Sequence, residues 1–96
     1  MEGILPKSIP ILGKRFKVRP FNNPNAYGMM DYEGSTIYIN FNLHKVERQL
    51  IHTFWHELFH ALHYRLGLHQ CISGEVLEIL AETQADLIVE MFYPTK

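Results

Sequence analysis

A chain of 96 residues, 47% hydrophobic and 20% charged, has the composition of a soluble globular protein and room for one small domain, read here as residues 1–96. Its net charge of −1 argues against direct nucleic-acid binding, and no apolar run approaches the ~18 residues a membrane span needs. A single cysteine, Cys71, rules out an internal disulfide; with no basic start and apolar stretch of a signal peptide at the N-terminus, the expectation is a cytoplasmic protein.

The first half reads as strands. Ile9–Leu12 and Phe16–Arg19 flank Gly13-Lys14, which suits a tight hairpin turn. Lys14, Arg15, Lys17 and Arg19 alternate with Phe16 and Val18, as on a strand with one solvated face. Turn formers crowd 20–25 (Pro-Phe-Asn-Asn-Pro-Asn), predicting a loop. Tyr27–Tyr32 and Thr36–Phe41 flank Glu33-Gly34-Ser35 as a second hairpin. In its second arm Ile37, Ile39 and Phe41 point one way and Tyr38 and Asn40 the other.

The second half reads as two helices. One runs from about His44 to Leu66, with Val46, Leu50, Phe54, Leu58, Leu62 and Leu66 four apart along one stripe, Asn42 as a cap and Gly67 past its end. The other starts at Ser73, an N-cap that puts Glu75 in the first turn, and runs to about Phe92, with Pro94 beyond as a stop. Its apolar side is Leu77, Leu80, Ala81, Ile88, Met91 and Phe92; its other side holds Glu75, Glu78, Ile79, Glu82, Asp86, Val89 and Tyr93. A short link implies antiparallel packing of the two helices. Strands followed by helices give an α+β class: a small antiparallel sheet of two N-terminal hairpins packed on two long helices.

Charge is divided between these halves. Residues 1–50 carry seven Lys/Arg against four Asp/Glu, net +3; residues 51–96 carry two against six, net −4. The acidic helices are where a cation site belongs, and the first of them carries His56-Glu57-Leu58-Phe59-His60. Four residues turn a helix by about 400°, so His56 and His60 leave one face a turn apart and can reach one zinc ion at about 2.0–2.1 Å. Glu57, rotated about 100° from His56, is poorly placed as a ligand but suited to act as general base on zinc-bound water. Catalytic zinc usually takes three protein ligands. Glu82 on the second helix is the expected third, with Asp86 one turn on accepting the free N–H of a ligating histidine; Glu78, one turn earlier, is the rival ligand. Phe54, Trp55, Leu58, Phe59 and Leu62 surround the polar triplet, which would be buried without purpose unless it bound something.

His56-Glu57-x-x-His60 followed by Glu82-x-x-x-Asp86 resembles the gluzincin pattern of thermolysin-type zinc peptidases. More closely, Thr36–Asn40, Thr53–His63 and Glu82–Asp86 resemble the strand, motif helix and glutamate helix of the ImmA/IrrE metallopeptidases of phages, mobile elements and bacterial stress responses. The resemblance covers most of 9–94. It implies a minimal zincin-like catalytic domain, Zn2+ held by His56, His60 and Glu82, Glu57 as the catalytic glutamate, and cleavage of an intracellular protein, often a DNA-binding repressor. Position 59, often glycine in that family, is Phe59 here, and no added substrate-selecting domain is read in so short a chain.

Other residues enter as auxiliaries. His63 and His52 can approach the metal face; Tyr27, Tyr64 and Tyr93 can donate to an oxyanion, with aromatic packing as the alternative for each. His69-Gln70-Cys71 reads as a loop rather than a soft-metal site. The edge of the Thr36–Phe41 strand can take an extended substrate by strand addition. The competing functional reading is a catalytically inactive adaptor with a structural zinc, closed by a fourth ligand.

Overall fold

The computed structural model describes residues 2–93. Strands β1 (Ser8–Ile11) and β2 (Lys14–Pro20) form the first hairpin, with Ile11 opposite Lys14. Its two-residue turn is Leu12-Gly13, one residue earlier than expected, and both have positive φ, 50° and 85°. That combination matches the right-handed twist of the flanking strands, and glycine supplies the second position without strain. Strands β3 (Gly28–Asp31) and β4 (Thr36–Ile39) form the second hairpin. Its loop is held by the Gly34 N–H donating to Asp31 Oδ1 at 3.0 Å and the Thr36 hydroxyl donating to the Gly34 carbonyl at 2.8 Å.

The sheet is mixed, not antiparallel throughout. Its order is β1-β2-β4-β3, and β2 and β4 run parallel, Val18 opposite Ile37. Each hairpin forms locally as expected, but the 21–27 loop carries the chain past the sheet before β3, so β4 returns between β2 and β3. The most apolar strand thereby takes a central position, where Ile37 and Ile39 are fully buried. β4 therefore has no free edge; the free edges belong to β1 and β3.

Helix α1 (Glu47–Arg65) lies across the sheet, and α2 (Gly74–Phe92) packs on α1. α1 starts three residues later than expected, and Asn42 does not cap it; Val46 occupies the cap position with no side-chain bond. The cause is His44, which is pulled into the core instead. Its Nδ1–H donates to the Asn40 carbonyl at 2.7 Å, so its Nε2 accepts from the Thr53 hydroxyl at 2.8 Å. Asn40, expected to face outward, is buried and donates to the Asn23 and Ala26 carbonyls, tying the 21–27 loop down. Gly67, with φ 75°, stands just past the end of α1 as expected, and Ser73 accepts from the Val76 N–H at 3.3 Å. Pro94 lies outside the described residues.

The core joins Phe16, Val18, Ile37 and Ile39 of the sheet to Leu50, Ile51, Phe54, Leu58 and Ala61 of α1. The ends of the predicted stripe, Val46 and Leu66, are exposed. The buried line of α2 is Ala81, Ala85 and Val89, while Met91 and Phe92 are exposed; the predicted apolar side is thus rotated toward the flank that carries the carboxylates. Small side chains in that line let the two helix axes approach closely. This is what brings short acidic side chains on α2 within reach of α1. No helix among the described residues is long and apolar enough to cross a membrane.

Candidate metal centre

α1 and α2 run antiparallel, so steps of one turn up α1 meet steps of one turn down α2. His52, His56 and His60 on the first face Asp86, Glu82 and Glu78 on the second. Both sets repeat every four residues, which is why each forms a straight ladder.

At one end the two motif histidines converge. His56 Nε2 and His60 Nε2 are 3.2 Å apart. Glu78 Oε1 lies 2.8 Å from the first and Oε2 2.9 Å from the second. These donor atoms all lie within 4.8 Å of one another, so His56, His60 and Glu78 form a group that could hold a metal ion. Glu82, the expected third ligand, turns its Oε1 to His52 Nε2 at 2.8 Å, and its Oε2 stands 3.7 Å from His56 Nδ1, too far for a hydrogen bond. Asp86, expected beside a ligating histidine, instead meets His52 at 2.7 Å. The structure therefore places Glu78 at the histidine pair, and Glu82 and Asp86 each one turn from the position expected of them.

Glu57 is buried beside this group, under β3. A cleft of about 310 Å³ is lined by Tyr27 and Gly28 on one side and by His52, His56, Glu57 and Glu82 on the other. Burial, and then the charge of Glu78, raises the Glu57 carboxyl from 4.5 to about 7. Burial lowers the pKa of His60, partly offset by Glu78. Stability of the metal-free protein follows from these signs. An acid whose folded pKa is raised contributes stability that is full below 4.5 and is lost as pH rises through about 7; His60, shifted down, favours folding at the high-pH side and loses its contribution as pH falls. Glu57→Gln should accordingly stabilise the metal-free protein by nothing near pH 4 and by about 3 kcal/mol above pH 8, as read from denaturant midpoints of both proteins in chelator. Equal midpoints at pH 8 would contradict it.

Gly28 of β3 lies against this carboxylate. A Cβ there would sit 2.8 Å from Thr53 Cγ2 and 3.1 Å from Glu57 Cγ and Oε2. Gly28→Ala is expected to destabilise by about 1–3 kcal/mol through overpacking, and Thr53→Ser, which removes the nearest atom, should recover part of that loss in the same denaturation assay.

The auxiliary residues divide. Tyr27 lines the cleft and packs edge-on against His44 at 5.1 Å between ring centroids. Tyr93 is remote from it; its backbone carbonyl accepts from Arg48 Nε at 2.9 Å. His63 is buried, its Nε2 2.7 Å from Gln84 Oε1, and is directed at α2 rather than at the histidine pair. Tyr64 stacks between Tyr32 and His69, at 4.5 and 4.6 Å. Cys71 is exposed. Phe59 packs along its own helix between Trp55 and His63, at 5.8 and 6.4 Å. Two residues escaped the sequence reading. Gln84 partners His63, and Tyr32 borders a recess of about 160 Å³ with His60 and Leu77, where burial, then Glu57 and Glu78, raise its hydroxyl pKa. Tyr32 closes the hairpin loop that abuts α1, a proximity that only the strand order reveals.

Comparison with protein-family models, curated proteins and solved structures finds no match to this chain.

Proposed function

We propose that this chain is a zinc-dependent metallopeptidase-like domain of the gluzincin kind, similar to the ImmA/IrrE group, that hydrolyses a peptide bond in a protein such as a repressor. His56, His60 and Glu78 would hold the ion, with Glu82 turned toward the back of the His56 ring. The observation that carries the reading is the convergence of two imidazole Nε2 atoms and one carboxylate beside a cleft floored by a buried glutamate. A separation of 3.2 Å between the two nitrogens is close to the roughly 3.4 Å expected of two tetrahedral ligands of zinc. Three protein ligands also leave a fourth position, as catalytic zinc requires and structural zinc does not. This favours the enzyme over the adaptor.

Zinc there would supply Lewis acidity toward a water and toward the scissile carbonyl oxygen. The protein's own groups do the rest. Glu57 takes a proton from the attacking water and returns it to the leaving nitrogen. Gly28, lacking a side chain, leaves the Glu57 carboxylate room in its packed position. β3, a free edge beside the cleft, offers backbone groups to an extended peptide, which would add as a further strand. Tyr27 stands at the cleft wall, within the substrate's path.

The test is cleavage of candidate regulatory proteins by the zinc-loaded protein and by Glu57→Gln. Activity that is retained in full by a variant still holding zinc would overturn the reading.

A further inference from the structure

The other end of the ladder holds a second convergence. His52 Nε2 lies 2.7 Å from Asp86 Oδ1 and 2.8 Å from Glu82 Oε1. One imidazole nitrogen carries at most one proton, and one N–H cannot be aimed well at two carboxylates at once. The two carboxylates, a turn apart on α2, would also repel each other with only that proton between them. Arg48, the nearby cation on α1, gives its Nε to the Tyr93 carbonyl at 2.9 Å. A divalent cation answers both problems, because it accepts all three lone pairs and offsets both negative charges. The three donor atoms lie within 4.8 Å of one another, and His52 borders the open cleft, so an ion has a path in.

We propose that His52, Glu82 and Asp86 form a second divalent-cation site, one helical turn from the His56–His60–Glu78 group. One imidazole and two carboxylates suit borderline ions such as Zn2+, Co2+ or Mn2+ and not soft Cu(I). The carboxylates are half exposed or more, which leaves the ion partly hydrated and binding weaker than at the two-histidine site. Glu82 joins the two groups: its Oε1 serves the second site while its Oε2 faces His56 Nδ1. Occupancy of the second site fixes the carboxylate that stands behind a ligand of the first, so filling one should strengthen the other. The second site stands apart from the peptidase reading and does not require it.

Equilibrium dialysis of the full chain against Zn2+ and against Co2+ tests this. Wild type is expected to hold two equivalents, and His52→Ala and the isosteric Asp86→Asn one each. Glu78→Ala is expected to keep one, and that one should be lost when His52→Ala is added. A single equivalent in wild type that His52→Ala and Asp86→Asn both retain would overturn the second site. Two equivalents retained in both of those variants would overturn it as well. A single wild-type equivalent lost in His52→Ala and Asp86→Asn but kept in Glu78→Ala would support it, and would instead sink the two-histidine centre. Asp86→Asn changes neither size nor an internal contact of the core, so it reports on the site even if His52→Ala disturbs packing.

Discussion

Glu57→Gln should lower peptide cleavage by about 10²- to 10⁴-fold while zinc affinity changes little. That range is what a positioned proton-transfer group contributes. The substitution isolates that role because glutamine has the same shape, which matters where even a Cβ on Gly28 would crowd Thr53 and Glu57. It removes the carboxylate's negative charge and with it the ability to take up and release a proton. Glu57 approaches neither Nε2 of the histidine pair in the way Glu78 does, so the donor set survives the change. A shorter Glu57→Asp keeps the acid but withdraws it from the cleft, and should fall between wild type and glutamine. Rates of product formation, with metal content measured on the same samples, decide the outcome. A loss of zinc parallel to the loss of rate would mean that Glu57 is a ligand, and the assignment of roles would fail.

The elements of this fold follow from local rules, and its joins do not. Both hairpins, the Gly67 helix end and the Ser73 cap are dictated by residues next to one another. The parallel pairing of β2 with β4 is a long-range choice, made by which strand gains most from burial on both edges. α1 starts later than its local pattern suggests because His44 has a helical neighbourhood but a better use in the core, between Asn40 and Thr53. The buried face of α2 departs from its apolar stripe for a related reason. Apolar periodicity counts large side chains, whereas the contact with α1 is made by Ala81 and Ala85, whose merit is smallness. That rotation also decides the candidate site. Glu78, Glu82 and Asp86 share one face at equal spacing, so sequence alone selects a row of carboxylates without selecting a rung. The rung depends on how far α2 slides along α1, which the 66–73 connection sets. His56, Glu57 and His60 needed no such information, because their relation is internal to one helix.

The rung can be tested by removing each carboxylate in turn. Structural zinc binds peptides with about 10–16 kcal/mol, or ~3–4 kcal/mol per ligand, so a lost ligand should cost about 10²- to 10³-fold in affinity. Glu78→Ala is expected to show this loss. Glu82→Ala, which removes a group behind the His56 ring, should cost about tenfold, near the low end for a partner that only orients a ligand, because its 3.7 Å approach is not a hydrogen bond. Asp86→Ala, in contact with His52 and not with the histidine pair, should leave that affinity unchanged. All three side chains are at least half exposed on one helix, and alanine is the best helix former, so none of the changes should threaten the fold. Zinc competition against a chromophoric chelator, in a His52→Ala background that silences the second site, reads the two-histidine centre alone. If Glu82→Ala gives the largest loss instead, Glu82 is the ligand, and either its side chain turns from His52 to the histidine pair or α2 slides by one turn when the ion binds. The four-residue repeat of both ladders permits that slip: after it, His56 and His60 would face Asp86 and Glu82, and His52 would be left without a carboxylate partner among these three. In an Asp86→Asn background, which silences the second site but keeps His52, a zinc-dependent change in the His52 ring proton resonances would then report the slip, and its absence would exclude it.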